Sequence, residues 1–393
     1  MDSAGQRIAR ARKRRGLSQA ALAGLVGRSE SWLSQVERGR RPIDSHSVLS
    51  RLAEVLRVDI TDIVDDSTDE ASRPYPYAGQ IERAMARGFY SAEGTPLARL
   101  DNLREMARSA YKQYQATQYD TVGRLLPRLI TDAEIAGRTY GLARPDVCEI
   151  RALAYDTAAA LLNRIGEPGL AWTAADRAMS AAEYSGAPLL SAFSAYRLAY
   201  VLTARQHARE AIELAMGASA ALERVMRSPS PDRLSIYGGL QLAGAMAAAA
   251  VYDHATASAL IAKARVIAEQ LGNVNLMGTA FGPVNVAIHA VAVSLMAGDA
   301  RTAVEIGEKL DATAIPNGLV GRRTQAHLDL ARAYALRRQD AAAVNVLLAA
   351  ERLSPQLVRY DVKTREVLTE LLRREHRAST PELRPLAQRA GVA

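Results

Sequence analysis

Residues 16–41 read GLSQAALAGLVGRSESWLSQVERGRR, and this stretch decides the fold of the first part of the chain. Its apolar side chains fall on two short helical stripes separated by Gly27. Ser18 and Ser29 each precede one stripe, where a side-chain oxygen can accept a hydrogen bond from a free backbone N–H and cap the helix. Gly27 can adopt the positive φ of a tight corner. The pattern predicts two helices of about two turns joined by a short turn, a helix-turn-helix.

The same stretch resembles the Cro and lambda-repressor type of DNA-binding domain, the XRE family. The family pattern L-[ST]-Q-x-x-L-A-x-x-x-G-x-S-x-x-x-[ILV]-S-x-[ILV]-E-x-G is met at every fixed position from Leu17 to Gly39. One departure is Arg28, which stands where the family usually has an apolar residue. The resemblance implies an all-α, five-helix domain over residues 1–66, whose second motif helix enters the DNA major groove.

The resemblance also implies that one exposed helix face and nearby basic residues contact DNA. The predicted DNA-binding residues are Gln19, Arg28, Ser29, Glu30, Ser31, Trp32, Gln35, Arg38, Arg40 and Arg41. Gln35 can form two hydrogen bonds with adenine, and the arginines can bind phosphates without specifying sequence. Glu30 either accepts from cytosine or meets the positive end of its own helix, and Trp32 either contacts a thymine methyl group or sugar or packs within the protein. Because one such domain reads few base pairs, a homodimer over two half-sites is expected.

Positive charge is concentrated on this part of the chain. Residues 1–41 contain 10 Lys/Arg and 3 Asp/Glu, a net charge of +7, whereas the whole chain carries +8. Such a cluster neutralises DNA phosphates and gives an affinity that falls with rising salt. The charge distribution therefore agrees with the predicted DNA-binding segment.

The composition changes after the first domain. Residues 65–76 are acidic, polar and proline-bearing, which is typical of an extended linker. Helical periodicity then returns and persists without a convincing strand. We therefore predict a DNA-binding domain over residues 1–66, a linker over residues 67–79 and a helical domain over residues 80–393.

The helical domain repeats one layout: a long alanine-rich helix, a tight corner and a second helix that opens with small residues. The predicted corners are Gln118-Tyr119, Gly166-Glu167, Arg205-Gln206, Tyr252-Asp253, Gly298-Asp299 and Gln339-Asp340. Their spacing of about 40–47 residues is that of helical-hairpin repeats. The region resembles a tetratricopeptide (TPR) array with lengthened helices, which implies a TPR-like α-solenoid.

The repeat resemblance implies a concave surface, lined by the first helix of each pair, that binds an effector. The predicted effector-binding residues are Tyr196, Arg197, Tyr200, Tyr237, Gln241, Phe281, Asn285, His289, Arg323 and His327. Asn285 can either bond the backbone amide of a ligand or satisfy a neighbouring helix end. For His289 and His327, packing between helices and contact with a ligand are both open.

Regulators of the RRNPP group join such a head to such repeats, and this resemblance implies sensing of a short peptide or small molecule. We expect a cytoplasmic, homodimeric transcriptional regulator that binds double-stranded operator DNA. The alternative is a repeat scaffold that docks a protein, with an auxiliary or vestigial head.

Other classes of protein find little support in the sequence. The six histidines show no metal-ligand spacing, and no phosphate-binding loop, Rossmann glycine pattern or nucleophile elbow is present. The single cysteine, Cys148, excludes an intrachain disulfide and fits a reducing compartment. No apolar leader or run of about 18 apolar residues stands out. We therefore expect neither an enzyme nor a cofactor, a metal or a membrane partner.

Overall fold

The computed structural model describes residues 4–39, 46–56, 58, 75–87, 99–225 and 230–392. The chain divides into two compact units, Met1–Pro76 and Tyr77–Ala393. Throughout the described ranges, every regular element is a helix, as the all-α prediction requires. We refer to the two units as the head and the repeat unit.

The head contains four described helices around one core. They are α1 (Ala4–Arg14), α2 (Gln19–Leu25), α3 (Glu30–Glu37) and α4 (His46–Leu56). Their core includes Ile8, Leu22, Leu33, Val36 and Leu52, all almost fully buried. The fifth helix of the predicted five-helix domain lies outside the described residues.

Local chemistry sets the corner between α2 and α3. Ser18 Oγ accepts from Ala21 N at 3.0 Å, and Ser29 Oγ accepts from Trp32 N at 3.1 Å, so both predicted caps are confirmed. Gly27 has φ +66°, a left-handed conformation that glycine adopts without a Cβ clash. This short corner fixes the direction in which α3 leaves α2.

In its described residues, the repeat unit contains six pairs of helices. The pairs are α6 (Leu100–Gln115) with α7 (Tyr119–Tyr140), α8 (Pro145–Arg164) with α9 (Pro168–Tyr184), α10 (Pro188–Ala204) with α11 (Ala208–Val225), α12 (Pro231–Ala250) with α13 (His254–Leu271), α14 (Pro283–Met296) with α15 (Ala300–Glu308), and α16 (Val320–Leu336) with α17 (Asp340–Leu353). Before them lies α5 (Ala78–Arg87), and after them lie α18 (Pro355–Tyr360), α19 (Val362–Arg373) and α20 (Leu383–Arg389). Two short 3-10 turns, Leu276–Gly278 and Ala312–Ala314, connect successive pairs.

All six predicted corners are confirmed, and all six share one backbone geometry. At each corner one residue has a positive φ, and the next N–H bonds to the carbonyl five residues earlier, which is the Schellman ending of a helix. The residues with positive φ are Thr117, Gly166, Gln206, Tyr252, Gly298 and Arg338. Since only two of them are glycine, the repeat is far clearer in the backbone than in the letters of the sequence.

The last helices return to the first pair. Ser354 Oγ donates to Thr117 Oγ1 at 2.8 Å, and Tyr360 in α18 donates to the Asp120 carboxylate at 3.1 Å. Helix α16 also packs against α6. The repeat unit therefore has a seam where its last elements meet its first pair, and α6, α8, α10 and α16 face one another near that seam.

One apolar segment of the described chain departs from the sequence prediction. By composition, Leu276–Met296 is long and apolar enough to cross a membrane, with a mean hydropathy of 1.5, and 56% of it is buried in the fold. It comprises a 3-10 turn, a short loop and α14, and α14 packs against α12, α13, α15 and α16. Burial between four helices accounts for its apolar character.

Candidate functional site

The exposed face of α3 carries the head's candidate DNA-reading side chains. Ser31, Gln35 and Arg38 follow one another at spacings of four and three residues, so they lie along one side of the helix, and all three are exposed. Glu30 is exposed in the first turn. The opposite side is buried in the core. Helix α3 is thus an amphipathic helix whose polar face is open to solvent.

Trp32 requires a correction among the predicted DNA-binding residues. Its side chain is only 7% exposed and belongs to the core of the head. The Arg28 guanidinium carbon lies 5.7 Å from its ring centroid, in the geometry of a cation–π contact. Of the two predicted roles for Trp32, packing is the one that its burial supports, while Arg28 itself remains exposed.

A buried ion pair joins the first helix of the head to α3. Arg12 Nε donates to Glu37 Oε1 at 2.7 Å, and Arg12 Nη1 donates to the carbonyl of Leu17 at 2.8 Å. Gln19 Nε2 donates to Glu37 Oε2 at 2.7 Å. Burial alone would raise the pKa of Glu37, but hydrogen bonds from Arg12 and Gln19 and the Arg12 charge lower it, so the pair stays ionised.

Gln19 and Ser29, two of the predicted DNA-binding residues, also form hydrogen bonds within the head. The amide of Gln19 is engaged with Glu37, and its side chain is only partly exposed, so Gln19 positions α2 on α3 as well as bordering the reading face. Ser29 caps α3 and is exposed beside Glu30. The predicted phosphate contacts Arg40 and Arg41 lie outside the described residues.

In the repeat unit, a cleft of about 430 Å³, part of it open to solvent, lies at the seam. Side chains from α6, α7, α8, α10 and α16 converge on it. Its lining residues are Tyr111, Tyr114, Gln115, Tyr119, Arg164, Arg197, Gly278, Thr279, Ala280, Leu319, Gly321 and Arg322. The cleft is therefore lined largely by first helices of the pairs.

A loop that follows α13 forms one wall of the cleft. Tyr111 Oη and Gln115 Nε2 both donate to the carbonyl of Gly278, at 2.7 and 2.9 Å. Thr279 Oγ1 and Ser235 Oγ lie 2.6 Å apart. These bonds tie the loop to α6 on one side and α12 on the other.

Phe281 anchors this loop from behind and does not face the cleft. Its side chain is fully buried against Gly238, where even a single Cβ would lie 2.0 Å from the ring. The prediction that Phe281 projects into the concave surface is wrong, because the ring needs the notch left by Gly238. Its role is to hold the wall in place.

Arg197 is the predicted residue that the structure places most clearly in the cleft. Its guanidinium carbon lies 5.8 Å from the ring centroid of Tyr111 and 5.4 Å from that of Tyr196. Nη2 donates to Tyr111 Oη at 2.9 Å, whereas the buried Nε has no hydrogen-bond partner in the described protein. Arg197 is thus held between aromatic rings, and its Nε–H donor has no partner among the described residues.

Tyr196, Tyr200 and His289 form a chain of packed rings that leads away from Arg197. Tyr196 and Tyr200 meet edge to face at 5.2 Å, and Tyr200 Oη lies 2.8 Å from His289 Nε2. His289 Nδ1 lies 2.7 Å from the Asn285 carbonyl, which can only accept, so Nδ1 carries the proton and Nε2 accepts from Tyr200. Burial first, and Arg322 second, lower the pKa of His289 to about 3. His289 is therefore a neutral packing histidine.

Asn285 lies beside a second, smaller cavity of about 190 Å³ that shares Ala280 and Arg322 with the cleft. Its side chain is 3% exposed, and Oδ1 accepts no hydrogen bond from the described protein. This oxygen therefore accepts from no helix end among the described residues.

The remaining predicted effector-binding residues lie elsewhere. Gln241 is fully buried and donates to Ser219, and Tyr237 donates to Glu223, so both face α11, the second helix of the preceding pair. Arg323 Nε donates to the Ile315 carbonyl at 3.1 Å. His327 Nδ1 contacts the Arg323 carbonyl at 2.9 Å. None of these four lines the cleft.

Several cleft residues were missed by sequence reasoning. Tyr111, Tyr114 and Tyr119 were not singled out, although their rings form a stacked series with centroids 6.0 and 5.7 Å apart. The predicted arginine at this part of α16 is Arg323, whereas the one that lines the cleft is its neighbour Arg322. The dense tyrosines near the first corner were the available signal, whereas choosing between adjacent arginines requires the rotation of α16.

Comparisons with known proteins support the head directly. Residues 3–64 match the family model of a helix-turn-helix domain. The chain is similar to the crystal structure of Bacillus thuringiensis PlcR in complex with the peptide PapR7 and DNA, at 12% identity and a TM-score of 0.36, over 86% of this chain and 99% of that one. It is also similar to the crystal structure of a Rap protein complexed with competence and sporulation factor, at 13% identity and a TM-score of 0.44, over 75% of this chain and 93% of that one. No curated protein matches. The head is a helix-turn-helix domain, as the sequence predicts.

Proposed function

We propose that this protein is a sequence-specific DNA-binding transcriptional regulator of the cytoplasm, whose repeat unit binds a small-molecule or peptide effector and joins two copies into a homodimer. The observation that carries the DNA-binding part is the polar face of α3. Ser31, Gln35 and Arg38 are exposed along one side of a capped helix in a helix-turn-helix domain. In such domains this helix lies in the major groove, with side chains near its N-terminus against the base edges.

The roles of the exposed side chains follow from their chemistry. Gln35 offers a donor and an acceptor, which match the edge of adenine. Arg28 and Arg38 are exposed cations at the two ends of α3 and would bind phosphates, which fix register without reading sequence. Glu30 sits in the first turn, where the positive end of the helix dipole partly offsets its repulsion by phosphates.

The effector part of the proposal rests on the seam cleft. The cleft joins residues from the first pair of helices to residues from the last, so a ligand in it touches elements that are far apart in the chain. A ligand that binds one arrangement of the seam better than another shifts the repeat unit toward that arrangement. In a homodimer this change would alter the spacing of the two heads and hence operator affinity.

The DNA-binding proposal is tested with the Gln35→Ala variant. A duplex selected from a random library by the full chain should contain two half-sites about one helical turn or a multiple apart. In a mobility-shift titration, Gln35→Ala should lose about 1–3 kcal/mol of binding free energy per half-site for that duplex, while its affinity for random DNA stays the same.

The matched control is Gln80→Ala, which removes an exposed glutamine from α5 in the repeat unit. It should leave both affinities unchanged. If the selection enriches no sequence and binding is only non-specific, the protein is instead a docking scaffold with an auxiliary head. If Gln35→Ala weakens both duplexes equally, α3 does not read bases.

A further inference from the structure

The seam cleft contains more positive charge than its ion-paired carboxylate neutralises. Three arginines line it, namely Arg164, Arg197 and Arg322, and none of its lining residues is acidic. Arg164 is ion-paired with Asp361 at 2.9 Å. Within the described part of the chain, neither Arg197 nor Arg322 forms an ion pair. Two cationic groups therefore remain available at the cleft.

Arg197 is buried without an ion-pair partner among the described residues. Its side chain is 8% exposed, and within that part of the chain its hydrogen bond goes to a neutral phenol, that of Tyr111. A buried guanidinium without a carboxylate is costly because its hydration is lost. The nearest candidate, Asp156, is bonded to Ser194 instead, and burial raises its pKa to about 7, so it compensates Arg197 only in part near neutral pH.

Arg322 approaches the same place from the opposite end of the array. It lies near the start of α16, and its Nη2 is 3.5 Å from Tyr196 Oη. Arg197 stacks on the ring of that same tyrosine. The two guanidinium groups therefore flank Tyr196 and line one cleft, where a single carboxylate could accept hydrogen bonds from both.

Aromatic rings line one side of the cleft. Tyr111, Tyr114 and Tyr119 form a stacked series along one side, with interplanar angles of 28° and 30°. Burial raises the pKa of Tyr111 and of Tyr119, so these phenols stay neutral and do not repel an anion.

We propose that the seam cleft binds an aromatic carboxylate, with its carboxyl group between Arg197 and Arg322 and its ring against Tyr111 and Tyr114. This inference rests on the proposed effector function and names the chemical class of the effector. The carboxylate belongs either to a free aromatic acid or to the end of a peptide with an aromatic last residue. Both present the same two groups to the cleft, and the ligand bridges the first and last pairs of helices.

The proposal is tested by calorimetric titration of the full chain, without DNA, with 2-naphthoate and its neutral amide, 2-naphthamide. Since only the acid can accept charge-assisted bonds from both arginines, naphthoate should bind at least about tenfold more tightly. N-acetyl-glycyl-tryptophan carries the same groups at a peptide end. If it binds more tightly than naphthoate, the ligand is a peptide, and if it binds more weakly, the ligand is a free acid.

Arg322→Gln is the informative variant, because Arg322 is only partly buried and its loss breaks no ion pair. It should reduce naphthoate affinity about tenfold and leave naphthamide affinity unchanged. Arg323→Gln removes the same charge from the next position of α16, where the side chain bonds the Ile315 carbonyl instead of lining the cleft. That control should change neither affinity by more than about twofold.

Equal binding of naphthoate and naphthamide, or equal effects of the two arginine variants, would overturn the proposal. The acid–amide comparison uses the unaltered protein, so it remains decisive even if a variant fails to fold. Because the titration contains no DNA, a negative result in it does not affect the Gln35→Ala test of DNA binding. Conversely, a DNA selection that enriches no sequence does not affect the naphthoate-binding result.

Discussion

Asp156 shows how one buried side chain can set the pH response of the repeat unit. Its carboxylate is fully buried, Oδ2 accepts from Ser194 Oγ at 2.8 Å, and Oδ1 has no partner in the described protein. Burial raises its pKa to about 7, while Arg197 and Ser194 lower it only in part. In the unfolded chain an aspartate ionises near pH 3.9, so the folded protein holds an extra proton between about pH 4 and pH 7. The stability gained from the protonated form is complete below about pH 4 and is lost as the pH rises through 7.

We predict that Asp156→Asn removes this pH dependence. Asparagine keeps the size of the side chain and can still accept from Ser194, but it cannot ionise. Between pH 5 and pH 8, the free energy of unfolding should fall about 2–3 kcal/mol further in the wild type than in the variant. Urea unfolding followed by circular dichroism at both pH values measures this difference, and contributions shared by both proteins, such as that of His289, cancel. Parallel pH profiles for the two proteins would show that Asp156 does not titrate in this range.

At the same scale, the sequence predicts the role of a residue well where local hydrogen bonds and backbone angles determine it. It predicts that role poorly where tertiary packing determines it. Ser18, Ser29 and Gly27 were predicted because caps and tight corners have local chemical requirements. Phe281 lies in a loop, and its ring fills the notch at Gly238, which no local pattern shows. Gln241 was misplaced because the first helices of the pairs are buried on most sides. Their apolar residues then form no single stripe that would separate an inward face from a cleft-facing one.

At the scale of elements, the corners between paired helices show which structural features the sequence pattern predicts and which it does not. The sequence predicts their positions from spacing and from small residues after each corner. It does not predict their common geometry, because Thr117, Gln206, Tyr252 and Arg338 occupy a left-handed position that usually favours glycine. The hydrogen bonds of the helix ending outweigh the modest steric cost at each of these residues.

Tyr252 offers a direct test of that cost. It has φ +61°, and its side chain is 77% exposed, so its conformational strain is not offset by burial. We predict that Tyr252→Gly raises the free energy of unfolding by about 0.5–1 kcal/mol. Tyr184→Gly, at an exposed tyrosine in the last turn of α9, should lower it by about 0.5 kcal/mol, because glycine is a poor helix former. Denaturant titration measures both, and a loss of stability in both variants would contradict the strain at the corner.

At the scale of the whole molecule, the sequence predicts the folds of the two units but not the seam. The change of composition near residue 65 and the helical spacing predict a helix-turn-helix head followed by an α-solenoid, and both folds are observed. The return of α18 to the first pair depends on contacts such as Tyr360 to Asp120, which are 240 residues apart. Such contacts result from the summed rotation of six pairs of helices, which no local pattern encodes.

The seam is also why the candidate ligand site could be predicted only in part. Arg197 was found because it lies on a first helix with an aromatic neighbour. Tyr111 and Arg322 come together only when the two ends of the array meet, so their shared role is invisible along the chain. A ligand bound at the seam contacts helices from both ends of the array. Its binding can therefore change the arrangement of the whole repeat unit.

The central claim is that α3 gives this protein a preference for particular DNA sequences, and one ratio tests it most directly. The quantity is the affinity of the full chain for its selected duplex divided by its affinity for a shuffled duplex of equal base composition, measured at about 150 mM salt, where non-specific phosphate binding is weakened. Our account predicts a ratio of about 10³ or more, as expected for specific recognition. A ratio close to one at that salt concentration would contradict it.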